Sequence, residues 1–389
     1  MRILTLAVAG LLALSTAASA QCGGNFSTFI QGLKAEAVQK GHSQSTVDSF
    51  FRSVQQDPRT LRADRAQGIF NIGFTEFSRR VISQNRIDNG RRNADRYDAI
   101  FDEIERRWGL SREVMLAFWA LETDFGSFQG DYNTVNSLVT LSHDCRRPEL
   151  FRPQVFAAIE LFENGDLDPA TTTGAWAGEI GMFQMLPEDI LTKGIDGDGD
   201  GHVYLKTSQA DALMSGANML SSFGWTPNDP WLQEVSVPEQ MSWEDAGLHT
   251  TKSGAEWERL GVSPRWGSIR GDLQASLILP KGRNGPAFLG YPNFQVYFEW
   301  NQSFVYVTSA AYFATRLAGA PVFTPGNPSP VLGEGEMKSL QTKLAARGHD
   351  VGKIDGILGA GTRAAVRAEQ VRLGLPADAW PTRELLNRL

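Results

Sequence analysis

A chain of 389 residues, 42% hydrophobic and 21% charged, has ordinary globular composition and enough length for two domains and a sizeable core. Its net charge of -7 argues against a nucleic acid as the main partner. Ten Trp and 22 Phe suit sugar-stacking platforms and plain cores alike, so they decide nothing.

Residues 1–20 read as a signal peptide: Arg2 gives the positive end, Ile3 to Leu14 is almost wholly apolar, and Ala18-Ser19-Ala20 fits the cleavage pattern. The apolar run is too short to span a bilayer, and no later run is long enough. Gln21 before Cys22 is not the small residue a lipoprotein site needs. The mature chain is therefore expected to be periplasmic, soluble and monomeric. Export permits disulfides, and the only two cysteines, Cys22 and Cys145, are predicted to pair; two free thiols are the alternative.

From Asn25 to Gly109 the pattern is helical, with helices predicted from Thr28, from Ser43 to Phe51, and from Tyr97 to Trp108. The Arg- and Asn-rich stretch Arg79 to Arg96 reads as a solvated connection. Then comes Val114 to Leu121, eight apolar residues leading into Glu122. Ser111 is placed as N-cap, and Gly126 is able to end the helix. A helix apolar on every side is buried. A carboxylate at its end is either a structural group, capping or paired with an Arg, or a general acid whose pKa burial has raised.

Thr134 to His143 and Pro153 to Asn164 read as helices. In Ala175 to Pro187, Gly178 and Gly181 permit close backbone approach, to a ligand or to another segment. Gln184 is the polar group of an apolar run and requires a partner. Asp196, Asp198, Asp200, Gly201 and His202 follow the first half of a calcium loop. Position twelve is Thr207 rather than Glu, so Asp211 is the candidate closing ligand. An Asp/Gly turn without metal is the other reading.

A helix is predicted from Gln209 to Phe223. Residues 226–299 read as a mixed insertion with strands at Leu232 and at Phe294 to Trp300, followed by a helix from Thr308 to Leu317. Residues 321–334 form a Pro/Gly linker. Beyond it, residues 335–389 hold nine Lys/Arg against six Asp/Glu, unlike the acidic remainder. Helices are predicted there at Met337 to Arg347, at Arg363 to Leu373 with Thr362 as cap, and at Pro381 to Leu389.

Several of these pieces, in order, resemble the lytic murein transglycosylase B family. They are Leu121 to Gly126, Thr140-Leu141-Ser142, Trp176 to Gly178 with Gly181, Gln184 and Pro187, Asp196 to His202, Tyr291 to Phe294, and Asn301, Ser303 and Tyr306. The last unit is similar to a small peptidoglycan-binding domain through Leu340-Gln341, Gly348, Asp355-Gly356, Gly359 and Thr362 to Gln370. The resemblance implies a mainly α, lysozyme-like catalytic domain at 21–320 with a small mixed α/β insertion, and a three-helix binding domain at 335–389. It implies non-hydrolytic cleavage of peptidoglycan glycan strands at the MurNAc-β-1,4-GlcNAc bond, leaving 1,6-anhydro ends. Glu122 would act first as acid and then as base, aided by the substrate's own N-acetyl group and by no cofactor. Gln184, Asn301, Tyr306, Trp176 and Glu179 would contact substrate. Asp196, Asp198, Asp200, His202 and Asp211 would hold a structural Ca2+.

The chain departs from the family pattern at Ala175, where relatives carry Ser, at Trp300, where Tyr is expected, and at Glu179, a position often small. Glu179 opens a rival reading, a hydrolytic muramidase with Glu179 as base. A wall-binding protein without activity is the third.

Overall fold

The computed structural model describes residues 22–66 and 72–389; the predicted signal peptide lies outside the described residues. The body begins with six helices: α1 (Phe26–Gln39), α2 (Gln44–Phe50), α3 (Pro58–Arg65), α4 (Phe74–Val81), α5 (Gln84–Arg96) and α6 (Asp98–Trp108). α7 (Arg112–Thr123) leads to the two-residue β1 (Tyr132–Asn133), α8 (Thr134–His143) and α9 (Pro148–Asn164). Then come β2 (Thr173–Gly174), α10 (Pro187–Lys193) and α11 (Gln209–Ser222). β1 and β2 pair antiparallel. Cys22 and Cys145 form a disulfide that ties the segment before α1 to the turn between α8 and α9.

The insertion is a small sheet around one short helix: β3 (Leu232–Ser236), β4 (Lys252–Ser253), α12 (Gly254–Arg259), β5 (Ser263–Pro264), β6 (Gln274–Ile278) and β7 (Ala287–Gly290). Its five strands run antiparallel in the order β4-β6-β7-β3-β5. The chain then re-enters the body as α13 (Pro292–Trp300) and α14 (Phe304–Leu317). It finishes in three helices, α15 (Glu334–Ala346), α16 (Ala360–Arg372) and α17 (Arg383–Arg388).

Each region has its own core. The main one gathers Phe101, Phe118, Trp119, Leu138, Phe294 and Phe313 among many others. Trp257, Leu277 and Leu289 centre the second, beneath the sheet, where the Trp257 indole donates to the Ala275 carbonyl at 2.8 Å. Leu340, Leu344, Val366 and Leu385 centre the third. The fold is mainly helical and lysozyme-like, with small sheets.

Four sequence expectations change in the body. Phe294 to Trp300 is helix, not strand. Pro292 sits in its first turn, where a missing N–H costs nothing, and Phe294, Tyr297 and Trp300 fall on one face against the body. Most of the Arg-rich connection is α5, capped by Ser83. Only Ile87 and Gly90 on it are buried, and a Cβ at Gly90 would meet Leu317 Cδ2 at 2.6 Å. α9 starts at Pro148, and Pro153 lies early inside it, where it removes only one ladder bond. α14 starts at Phe304, capped by Ser303, four residues before the predicted start.

The Pro/Gly segment before α15 is not a free tether. Phe323 is buried in the main core, and the Thr324 N–H donates to Glu234 Oε1 at 2.8 Å. In the C-terminal unit, Thr362 does not cap α16, whose N-cap is Gly359. Its hydroxyl is instead buried against Gln341, which spans the turn by donating to the Ile357 carbonyl and accepting from the Gly356 N–H.

Candidate active site

α7 is the beam that holds the site. Residues Val114 to Ala120 are all buried, so the helix has no freedom to rotate or slide. Ser111 stands at its N-cap with extended backbone, yet makes no capping bond, and its Oγ has no hydrogen-bond partner. At the other end the C-cap is Asp124 (φ 50), Phe125 (φ 58) and Gly126 (φ 85) continue the left-handed turn, and Arg86 Nε holds the Asp124 carboxylate at 2.9 Å. Thr123 Oγ1 donates to the Met182 carbonyl at 2.8 Å and accepts from the Gly126 N–H at 3.0 Å. The last turn, with Glu122 in it, is thereby pinned to the 175–187 loop.

Two donors from different helices converge on one oxygen of Glu122. Trp300, at the end of α13, donates its indole N–H to Oε1 at 2.9 Å. Tyr306, in the first turn of α14, donates its hydroxyl to the same Oε1. Oε2 takes no hydrogen bond from any described residue. Burial pushes the Glu122 pKa up, and the bonds from Tyr306 and Trp300 hold back part of that rise. The Tyr306 phenol itself lies well above its usual pKa, through burial and then the neighbouring carboxylate, so it stays a donor across the working range.

The 175–187 loop is a tight double turn. Ala175 N–H donates to the Glu179 carbonyl at 2.9 Å, and Ile180 and Met185 form a bridge. Its glycines make way for protein. A Cβ on Gly178 (φ 93) would lie 2.4 Å from Leu138 Cδ2, and one on Gly181 (φ 79) would lie 2.4 Å from Leu205 Cβ. Gln184 adopts a left-handed backbone (φ 51) and folds its amide back to the Gly181 carbonyl at 2.7 Å. Its required partner is therefore backbone, and its Oε1 makes no bond within the described residues. Trp176 is half-buried against the main core.

Glu179 lies near enough to Glu122 for the two charges to interact. Burial, and then the Glu122 carboxylate, lift its pKa to about 7, while neighbouring N–H groups and Arg147 oppose the rise. One of its oxygens, Oε2, is buried without a partner. Asn301 follows Trp300 directly, and its Oδ1 caps the Ser303 N–H at 2.9 Å.

The acidic loop assembles only in part as expected. One carboxylate oxygen each from Asp196, Asp198 and Asp211 fall within 4.8 Å of one another. Asp211 is fully buried and accepts from the Gly197 and Tyr204 N–H groups at 2.9 and 2.7 Å. Asp200 and His202 do not join them. Asp200 accepts from the His202 N–H at 2.9 Å, and the His202 ring turns to Asp166 at 2.9 Å and stacks on Tyr204. Asp211 reaches the cluster from the first turn of α11.

With this geometry in view, residues 25–315 match the family model described as the transglycosylase SLT domain, and residues 333–389 match that of the peptidoglycan binding domain. The chain belongs to the transglycosylase SLT family. Among solved structures, the SLT chain is 34% identical to SltB3 from Pseudomonas aeruginosa in complex with NAG-anhNAM-pentapeptide. The match covers 94% of this chain and 99% of that one, with a TM-score of 0.86. The same protein in complex with NAG-NAM-pentapeptide gives 34% identity and 0.85 over 94% of this chain and all of that one. A membrane-bound lytic murein transglycosylase B from Escherichia coli (strain K12) is 26% identical over 297 residues, 75% of this chain and 80% of that protein.

Sequence reasoning noted Trp300 only as a departure from the family Tyr and missed it as a site residue. The available signal was its place beside Asn301 together with its chemistry: an indole N–H is a donor only, and a buried one needs an acceptor.

Proposed function

We infer that this SLT enzyme is a peptidoglycan lytic transglycosylase that cleaves glycan strands without water, with Glu122 as its proton donor and acceptor. The observation that carries this is the asymmetry of the carboxyl group: Oε1 is held by Trp300 and Tyr306, and Oε2 is left for the substrate. In the protonated form that burial favours, Oε2 gives its proton to the glycosidic oxygen as the C1–O4 bond breaks. As carboxylate it then takes the proton of the muramyl C6 hydroxyl while O6 attacks C1. One proton leaves and one returns, no water is consumed, and the ring closes as the 1,6-anhydro sugar. One positioned acid/base supplies a factor of roughly a hundred to ten thousand. Gln184, Asn301 and Trp176 are assigned to the substrate. That SltB3 is seen with an anhydro-muramyl ligand supports the same product chemistry here.

Glu179, ionising about neutrality beside Glu122, is the one feature that favours the hydrolytic alternative. Mass spectrometry of purified murein digested by the chain distinguishes the two: anhydro ends are expected, and reducing muramyl ends alone would overturn the assignment.

The acidic loop fits a hard cation. Three carboxylates, one of them fully buried, face one another with no Lys or Arg paired to any of them among the described residues. Asp196, Asp198 and Asp211 would hold Ca2+, whose contribution is structural, fastening the loop to α11. Calcium at a hundred times its Kd should stabilise the protein by about 2.7 kcal/mol. Melting followed with EDTA and then with added calcium should rise accordingly, and Asp211→Asn should remove the rise. A melting temperature indifferent to calcium would dismiss the site.

Among the described residues no helix is long and apolar enough to cross a membrane. Together with the disulfide and the leader pattern of residues 1–20, this supports export as a soluble protein.

A further inference from the structure

The seam between the body and the C-terminal unit contains a cavity of about 470 Å³, within the range of small-ligand sites. Its wall is largely apolar: Leu248 and Ile278 from the insertion, Phe298 from α13, Phe304 and Val305 from α14, and Leu358 from the C-terminal unit. Into this apolar space α16 projects two arginines one turn apart, Arg363 and Arg367.

Neither guanidinium has a carboxylate within ion-pair reach among the described residues. Arg363 donates to the Pro280 carbonyl at 2.9 Å, lies over the rings of Phe304 and Trp380, and leaves Nε buried without a partner. Arg367 donates to the Ala246 carbonyl at 3.2 Å and rests against the His249 ring. Asp378 also lines the cavity and attracts Arg363, but its oxygens already accept from the Arg283 N–H, the Gln370 amide and the Trp380 N–H.

Burying a cation without a partner is costly, and two like charges four residues apart on a helix add to the cost. Burial works against the charged form of all three groups. Burial lowers Arg363 to about 10 and lowers Arg367 as well. His249 is depressed by burial and then by Arg367, which disfavours a third positive charge there. The crevice therefore has two planar donor forks, an apolar wall, and one carboxylate, Asp378, beyond ion-pair reach and already taken by three N–H donors.

We propose that this crevice binds the carboxylate end of a short peptide with small aliphatic side chains, the kind of stem that hangs from a muramyl residue. Guanidinium forks match carboxylates in shape and charge, whereas a glycan offers neutral hydroxyls. The apolar wall suits alanine-like side chains. The crevice and the catalytic carboxylate share the start of α14: Ser303 and Phe304 line the crevice, and Tyr306, two residues on, bonds Glu122. The inference rests on the reading of the substrate as peptidoglycan.

Isothermal titration of the full chain tests it without catalysis. The probes are N-acetyl-D-alanyl-D-alanine and its C-terminal amide. The acid should bind at least tenfold more tightly than the amide. Arg367→Gln should erase that difference while cutting peptide-free glycan strands at the unaltered rate. Arg363→Gln should do the same if its melting temperature is kept; the acid-against-amide comparison on the unaltered chain needs no variant. Equal binding of acid and amide, no binding of either, or equally tight binding of inorganic phosphate or octanoate would overturn the proposal. If the acid binds as expected but digested murein shows no anhydro ends, the assignment of activity falls and the crevice stands. If anhydro ends form and acid and amide bind alike, the crevice proposal alone falls.

Discussion

Glu122→Gln is expected to lower kcat on murein by about two to four orders of magnitude, the range a single positioned acid/base supplies. The amide keeps the shape of the side chain, and its carbonyl oxygen still accepts from Trp300 and Tyr306, so the last turn of α7 should hold its place. What is lost is the transferable proton on the second oxygen. The measurement is release of anhydro-muropeptides by the purified variant, beside its melting temperature. A folded Glu122→Gln protein within tenfold of the unaltered rate would remove Glu122 from the chemistry.

Tyr306→Phe is the second large effect. Its hydroxyl bonds the ionised form of Glu122 and so lowers that group's pKa against the larger upward push of burial. Hydrogen bonds to charged groups contribute roughly 1.5–3 kcal/mol, which is about a ten- to hundredfold change. Without the hydroxyl the carboxylate is less stable, so Glu122 keeps its proton to higher pH. The limb of the pH–rate profile on which Glu122 loses its proton should therefore move upward in pH. The acid half of the reaction, which must leave Glu122 as the now less stable carboxylate, should slow, and kcat at the optimum should fall. A profile that moved downward, or did not move, would show that the bond from Tyr306 does not set the acidity of Glu122.

The parts of this protein legible in its sequence are those where local pattern and tertiary demand agree. α8 runs over Thr134–His143 as its periodicity predicts, because nearly every side of it is buried and the pattern has no competitor. The apolar run before Glu122 identifies α7 for the same reason. Where a residue serves a distant partner, the local pattern misleads. Phe294 to Trp300 is rich in β-formers, yet its aromatic spacing serves a helix against the main core. α5 has one large apolar residue in its buried face, so it resembles a loop until Gly90 meets Leu317. Thr362 has the chemistry of a cap but is taken by Gln341.

At the site, the carboxylate was readable and its orientation was not. That Trp300 and Tyr306 share one oxygen of Glu122 depends on how two helices, joined by three residues, cross a third. His202 likewise fits a ligand spacing by number, while its ring pairs with Asp166, which the spacing does not include.

The bridge between Cys22 and Cys145 has a consequence for how the molecule comes apart. Chain ends are where opening and proteolytic nicking usually begin. Here the end that precedes α1 is bolted to the α8–α9 turn, and the Gly23 N–H adds a bond to the His143 carbonyl at 2.8 Å. Peeling α1 away, with Phe29 and Leu33 on its inner face, requires reduction first. In an oxidising medium the proline-rich strap at 321–333 is a mainly exposed stretch left for a protease, outside its buried Phe323 and Leu332.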